Sequence, residues 1–165
     1  MTQEDKELLL TDLCARLLHE VILLAPNGKT TYETDSNTAI ELFVDEGWKP
    51  YLRPMSSMTE EEAKELLFIR LDSKYDESCA YIKNSIKLIE ISFQKKPPYK
   101  GSISVWFSFE NKIHDICSRC EYLGQINDIT LAEIDWLNAH HFDYRELIEK
   151  GLAIAVTKEN NPYKE

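Results

Sequence analysis

The sequence predicts a single compact α+β domain, and three observations lead to this fold class. Apolar residues recur at helical spacing between positions 10 and 21, with acidic residues around them. Residues 89–93 and 103–109 alternate between apolar and polar, which is typical of half-buried strands. Two Thr-x-x-Glu sequences, beginning at Thr59 and Thr130, match the capping box that opens a helix. Small antiparallel units covered by helices follow from these patterns.

Residues 1–57 are expected to form a helix and a small sheet. The apolar stripe predicts a helix from Glu4 to His19. Asn27-Gly28 tolerates positive φ and predicts a hairpin turn. The predicted strands are Val21 to Ala25, Thr30 to Thr34 and Ala39 to Val44, a three-stranded unit that we interpret as SH3-like. Two prolines within Lys49 to Pro54 favour extended or tight-turn backbone.

Residues 58–157 are expected to contain helices around a β-hairpin, followed by a frayed tail over 158–165. The hairpin spans Ile86 to Phe109 and has a longer, basic loop. The predicted helices are Glu60 to Leu71, Ile113 to Leu123 after an Asn111 cap, Thr130 to His140, and a last one opened by an Asp143/Glu146 box and ended by Gly151. Leu152 to Val156 reads as a short final strand.

Composition and charge exclude several classes of protein. The apolar fraction of 43% and the aromatic fraction of 10% are too high for a disordered chain. A net charge of -10 repels a phosphate backbone at long range, although rows of carboxylates can also mimic nucleic acid. The N-terminus lacks a signal peptide, and no apolar run is long enough for a membrane span. We therefore expect a cytoplasmic protein with four reduced cysteines and no membrane partner.

Three stretches carry a resemblance to a known family: LTDLCARL (10–17), KPYLRPMSSMTEEE (49–62) and DWLNAHHFDYRELIEKGLAI (135–154). They are similar to a family of small proteins from phages, prophages and other mobile elements of gut Bacteroides-type bacteria. The resemblance implies an accessory protein of a mobile element, and it implies no particular activity. The chain departs from the family at Leu18, His19 and Glu20, where Pro-Tyr-Gly is usual, and at Glu146, where glycine is usual. Its end also lacks the family's closing motif.

His114, Cys117 and Cys120 spell a possible zinc-binding sequence, with Cys79 or His140 as a fourth ligand. On the predicted helix, however, His114 and Cys120 would lie about 9 Å apart, which is too far for one tetrahedral site. The same two cysteines lie more than a turn inside that helix, so its dipole would not activate them for redox chemistry. We interpret them as small core residues and expect no metal or cofactor.

The most suggestive polar cluster is His140, His141, Asp143 and Arg145. A histidine beside a carboxylate could perform general acid–base chemistry, as in a small hydrolase or nuclease. The sequence places no nucleophile or oxyanion donor beside it. The alternative is a corner between two helices that hydrogen bonds hold together.

Two segments could bind a macromolecule. Tyr51, Leu52, Arg53 and Met55 form an aromatic, cationic and apolar segment that could be a docking epitope or a packed connector. Lys95, Lys96, Tyr99 and Lys100 in the hairpin loop could bind single-stranded nucleic acid, or they could be a solvated hairpin tip. Residues 80–125 carry seven basic and four acidic side chains, whereas residues 1–48 carry three and ten.

The first hypothesis for function is a non-enzymatic interaction protein that binds a host or phage protein, because no catalytic signature stands out. The second is a nucleic-acid-associated factor that uses the basic hairpin loop. The third is a hydrolase or nuclease built on the histidine cluster.

Overall fold

The computed structural model describes residues 1–74, 87–93, 103–109, 112–118 and 130–163. Backbone contacts divide the chain into two compact units. The terminal unit comprises Met1–Pro54 and Leu137–Glu165, and the central unit comprises Met55–Trp136. The α+β class is confirmed, because helices and sheets occur together. The single domain over residues 1–165 and its SH3-like part stay predictions.

Helix α1 spans Gln3–Ala15 and begins at a capping box. The Thr2 hydroxyl accepts a hydrogen bond from the Asp5 N–H, and the Asp5 carboxylate accepts one from the Thr2 N–H. The predicted end at His19 is wrong, because Leu17–His19 form a 3₁₀ turn and Glu20 is left-handed (φ 52°). The α-helix therefore ends at Ala15 and does not include Leu18, His19 and Glu20.

The terminal unit contains a four-stranded sheet. Its strands are β1 (Ile22–Leu24), β2 (Thr31–Glu33), β3 (Lys49–Leu52) and β7 (Ile154–Ala155), in the order β2-β1-β3-β7. β1 pairs antiparallel with β2 and β3, whereas β3 and β7 are parallel. The first two predicted strands, the extended segment around Pro50 and the final strand are thus confirmed.

The third predicted strand, Ala39 to Val44, is wrong, because helix α2 occupies Ile40–Glu46. A short apolar run fits either structure by periodicity alone. Here Ile40 and Val44, one helical turn apart, are both buried, and Gly47 (φ 79°) ends the helix in the left-handed conformation. The third strand of the sheet beside β1 is instead β3.

One hydrophobic core holds the terminal unit together. α1, α2, the sheet and the residues after Asp143 all contribute to it: Leu9, Leu13, Val21, Leu23, Ile40, Val44, Leu52, Leu147, Leu152 and Ala153. The C-terminal segment therefore closes a core that the N-terminal segment begins.

The central unit contains α3 (Glu60–Lys74) and a second sheet of β4 (Lys87–Phe93), β5 (Ile103–Phe109) and β6 (Lys112–Ser118). α3 begins at the predicted capping box, with the Thr59 hydroxyl and the Glu62 carboxylate exchanging bonds with backbone N–H groups. The hairpin is confirmed, because β4 and β5 pair antiparallel from Lys87↔Ser108 to Phe93↔Ile103, with one register shift between Leu88 and Glu90.

The helix predicted from Ile113 to Leu123 is wrong over the residues that the structure describes. β6 pairs antiparallel with β5 in unbroken register from Phe109↔Lys112 to Ile103↔Ser118. This pairing satisfies the second edge of β5, which is a long-range gain that local spacing cannot show. The Asn111 cap and residues 119–123 lie outside the described residues.

Helix α4 spans Leu131–Ala139 and begins at the predicted Thr130/Glu133 box, in which both reciprocal hydrogen bonds form. The helix predicted after Asp143 is wrong, because the residues up to Gly151 form successive turns. Glu146 is left-handed there (φ 60°), which interrupts a helix. Gly151 has the positive φ expected of it (70°).

Glu20 and Glu146 share one property, because both are left-handed. Glycine would adopt this positive φ without the steric cost of a Cβ atom.

The tail is not frayed as far as Tyr163. The Tyr163 hydroxyl donates a hydrogen bond to the Tyr51 carbonyl (2.8 Å) and accepts one from the Ile22 N–H (3.3 Å). It thereby joins the tail to β1 and β3. In the part of the chain that the structure describes, no helix is long and apolar enough to cross a membrane.

Candidate functional site

The predicted polar cluster lies where the chain leaves α4, and its backbone pairs with the end of β3. The Arg53 N–H donates to the His141 carbonyl, and the Asp143 N–H donates to the Arg53 carbonyl, both at 2.8 Å. Arg53 and Phe142 form an isolated parallel bridge, and the Arg53 guanidinium lies 4.2 Å from the centre of the Phe142 ring. The cluster is thus a short extension of the sheet.

Asp143 stabilises the turns that follow it. Its two carboxylate oxygens accept hydrogen bonds from the N–H groups of Leu147 (2.9 Å) and Ile148 (2.8 Å). Burial raises the pKa of Asp143, and the two backbone N–H donors oppose that rise. Both oxygens accept hydrogen bonds from backbone groups, so this carboxylate stabilises the turns that follow it.

His141 is held as a neutral ring. It is left-handed (φ 57°), and it stacks on Tyr163 at 4.0 Å with an 11° angle between the rings. Burial, together with the positive charge of Arg16, lowers the pKa of His141 to about 4. Its Nδ1 atom is buried and has no hydrogen-bond partner among the described residues. Burial likewise raises the pKa of Tyr163 to about 12.

Around these residues lies a buried charge network that sequence reasoning missed. Asp12 and Arg16 are both fully buried, and the guanidinium binds the carboxylate at 2.7 Å and 3.0 Å. Arg16 also donates to the Phe142 carbonyl (2.7 Å). Arg145 places its Nε 3.3 Å from the second Asp12 oxygen, without the angle of a hydrogen bond. This network ties α1 to the corner after α4.

Tyr144 lies near both guanidinium groups. The guanidinium carbons of Arg16 and Arg145 lie 5.2 Å and 5.0 Å from its ring centre, within cation–π range. Its hydroxyl donates to the Asn138 side chain (3.0 Å), and Asn138 in turn donates to the Ala15 carbonyl (3.3 Å). Burial alone lowers the pKa of Arg16, but the charge and hydrogen bonds of Asp12 outweigh it, so the net shift is upward.

A sequence signal for this network existed. Asp12 and Arg16 are one helical turn apart, and both border the apolar residues Leu13 and Leu17. Charges of opposite sign at that spacing on a buried face indicate an internal ion pair.

The docking epitope predicted at Tyr51, Leu52, Arg53 and Met55 is mostly inside the fold. Leu52 is fully buried in the core, and its carbonyl accepts a hydrogen bond from the Val156 N–H. Tyr51, Arg53 and Met55 are half-buried. This segment is a central strand and its exit, which favours the packed-connector interpretation.

The terminal unit has an exposed apolar surface that the sequence did not point out. The Tyr32 and Phe43 rings lie 4.8 Å apart, and the Phe43 and Trp48 rings meet edge to face at 4.9 Å. Tyr32 is 39% exposed. We call Tyr32, Phe43 and Trp48 the aromatic surface. Leu42, which precedes Phe43 on α2, is 62% exposed. Because the sequence predicts a strand over Ala39 to Val44, it does not predict a helix that places Phe43 against Tyr32.

Carboxylates accompany the aromatic surface. Residues 30–48 contain five acidic and no basic side chains. The Trp48 indole N–H donates to the Glu46 carboxylate (3.0 Å), and Asp45 pairs with Lys6 from α1 (2.7 Å). The chemistry of this region suits a partner that is both apolar and basic.

The remaining predicted sites are only partly described. His114 and Cys117 lie on β6, opposite Phe107 and Ser104 of β5, so the helical geometry considered for zinc does not exist there. Cys79, Cys120, Lys95, Lys96, Tyr99 and Lys100 lie outside the described residues. Among the residues that the structure does describe, no group of three His, Cys, Asp or Glu side chains could hold a metal ion.

Comparison with known protein families, with curated protein sequences and with solved structures gave no match.

Proposed function

We propose that this chain is a non-enzymatic interaction protein that binds another protein through its aromatic surface. The observation that carries the proposal is exposed Tyr32 against half-buried Phe43, which in turn meets half-buried Trp48. Leu42, one residue before Phe43 on α2, is an exposed leucine. Aromatic residues with an accessible apolar neighbour are typical of the centre of protein–protein interfaces. A bound partner would bury these side chains, and removing their apolar area from water would favour binding.

The polar residues that could have carried catalysis are engaged in structure. Asp143 binds two backbone N–H groups, and the His141 ring is stacked and held neutral. Arg16 and Asp12 are fully buried against each other. These contacts favour an interaction protein over a hydrolase or nuclease at this corner.

The partner is a host or phage protein in the cytoplasm, which fits the mobile-element context that the resemblance implies. The acidic character of residues 30–48 and the net charge of -10 favour a basic protein surface over nucleic acid.

The test compares two leucine-to-lysine variants of the full chain. Leu42→Lys places a charge one residue from Phe43 on α2, whereas Leu18→Lys makes the same change at a leucine that is 82% exposed on a different element. Tagged wild type and both variants would be used to capture partners from a host lysate, with and without nuclease, and the captured proteins would be quantified by mass spectrometry.

We expect the wild type to capture a partner protein that remains after nuclease treatment. Leu18→Lys should capture the same amount, and Leu42→Lys should capture about tenfold less or lower still. Equal capture by both variants would reject the aromatic surface as the binding site. Loss of all partners after nuclease treatment would instead favour the basic hairpin loop and the nucleic-acid hypothesis.

A further inference from the structure

Strand β2 forms an edge of the terminal sheet. In the strand order β2-β1-β3-β7 it pairs with β1 on one side, and no strand among the described residues pairs with its other side. All three of its residues, Thr31, Tyr32 and Glu33, are exposed. An edge of this kind presents unpaired backbone groups to any strand that can reach it.

The register identifies which backbone groups face outward. The Ala25 N–H donates to the Thr30 carbonyl, and the Thr34 N–H donates to the Val21 carbonyl. Because hydrogen-bonded pairs alternate along an antiparallel ladder, the pair midway between these two, Leu23↔Tyr32, also exchanges hydrogen bonds. Tyr32 therefore turns its N–H and carbonyl toward β1.

Thr31 and Glu33 consequently turn their N–H and carbonyl groups away from β1. The opposite residue of one pair supports this: Ile22, which faces Glu33, donates its N–H to Tyr163 and not to β2. The open edge thus offers two donors and two acceptors, spaced as an added strand requires.

Side chains define the strand that fits. A residue directly opposite Glu33 in an added antiparallel strand would lie about 5.5 Å away, close enough for a basic side chain to pair with that carboxylate. Alternate residues would fall on the face of Tyr32, where Phe43 and Trp48 continue an apolar surface. The matching sequence alternates basic and apolar residues.

We propose that the β2 edge binds an extended, basic segment of a partner protein by strand addition, with its apolar residues on the aromatic surface. This inference rests on the proposed function and names the chemistry of its partner. A second copy of this chain fits less well, because residues 1–48 carry ten acidic and three basic side chains and would repel themselves.

The test uses a fluorescent ten-residue peptide of alternating lysine and valine, with a lysine–proline peptide of equal charge as the control. Binding is measured by fluorescence anisotropy. Glu33→Pro removes an outward N–H, and proline is tolerated at that side of an edge strand. Glu33→Gln is the matched control, since it removes the same charge and keeps the N–H.

We expect Glu33→Pro to raise the Kd of the lysine–valine peptide about tenfold over that of Glu33→Gln. We also expect the peptide to slow amide hydrogen exchange at Thr31 and Glu33 in the wild type, while exchange at Tyr32, already paired, does not change. Equal binding by the two variants, or equal binding of the two peptides, would overturn strand addition.

Thermal unfolding and capture of a native partner complete the test. If Glu33→Pro fails to fold, as judged by its thermal unfolding, the exchange pattern of the wild type alone decides. If Leu42→Lys abolishes capture of a native partner and Glu33→Pro does not, strand addition fails while the proposed function stands. If neither variant reduces capture, both fail.

Discussion

Replacing Asp12 by asparagine should be among the most damaging single substitutions in the terminal unit. Asp12 is the anion between two cations, with Arg16 at 2.7 Å and Arg145 at 3.3 Å. Both side chains of the Asp12–Arg16 pair are 0% exposed, so water cannot solvate the guanidinium once the carboxylate is lost. Asp12→Asn would leave the Arg16 guanidinium buried without its counter-charge.

The expected cost is about 3–5 kcal/mol, which is typical of removing one partner of a buried ion pair. This is a large part of the roughly 5–15 kcal/mol by which domains are stable. Arg16→Met should cost less, about 2–3 kcal/mol, because Asp12 still has the positive charge of Arg145 nearby. The remaining cost includes the hydrogen bond that the Phe142 carbonyl loses. The double variant should cost less than the two single losses added together.

The assay is urea unfolding followed by circular dichroism on the four proteins of this cycle. The matched control is the Lys6–Asp45 pair, which has the same 2.7 Å distance but side chains that are 35% and 67% exposed. Asp45→Asn should cost no more than about 1 kcal/mol. If Asp12→Asn and Asp45→Asn cost the same, or if the losses in the cycle are additive, then burial of this network does not hold the unit together.

Two other predictions concern the left-handed residues. Glu20→Gly and Glu146→Gly should each raise the free energy of unfolding by about 0.5–1 kcal/mol, because glycine removes the steric cost of positive φ; a loss of stability in thermal unfolding would refute this. The pKa of His141 is about 4 in the folded chain and 6.5 in the unfolded chain. The contribution of His141 to the free energy of unfolding is therefore complete above pH 6.5 and is lost as pH falls toward 4. The loss should be about 2–3 kcal/mol after discounting its partial exposure. His141→Asn, which tolerates a left-handed backbone, should remove that part of the pH dependence of urea unfolding, and an unchanged pH profile would contradict the assignment.

The elements that sequence predicted correctly are those with local causes. The capping boxes at Thr59 and Thr130 use only side chains and backbone groups within one turn. The β4–β5 hairpin follows from period-two alternation on both strands. Gly151 takes the positive φ of a helix-ending residue, although the helix predicted before it does not form.

The errors occur where a distant segment decides the outcome. Lys112–Ser118 is a strand because β5 offers a partner along its whole length. Ile40–Glu46 is a helix because its apolar face packs into a core completed by residues more than one hundred positions later, such as Leu147 and Leu152. Neither cause is visible in a window of ten residues.

The candidate sites divide in the same way. The polar residues His141 and Asp143 attract attention by type, but only their neighbours show that one stacks on Tyr163 and the other binds backbone N–H groups. The aromatic surface depends on α2 being a helix beside β2, which places Phe43 against Tyr32. A search by residue type does not find it.

Composition and contacts within a few residues are enough to predict the α+β class, the acidic charge, the capped helix starts and the central hairpin. Only the folded chain shows the strand order β2-β1-β3-β7, the buried Asp12–Arg16 network and the position of β2 at the end of that order. These features depend on which distant segments meet, and that is set by burial and backbone pairing over the whole chain rather than by any local pattern.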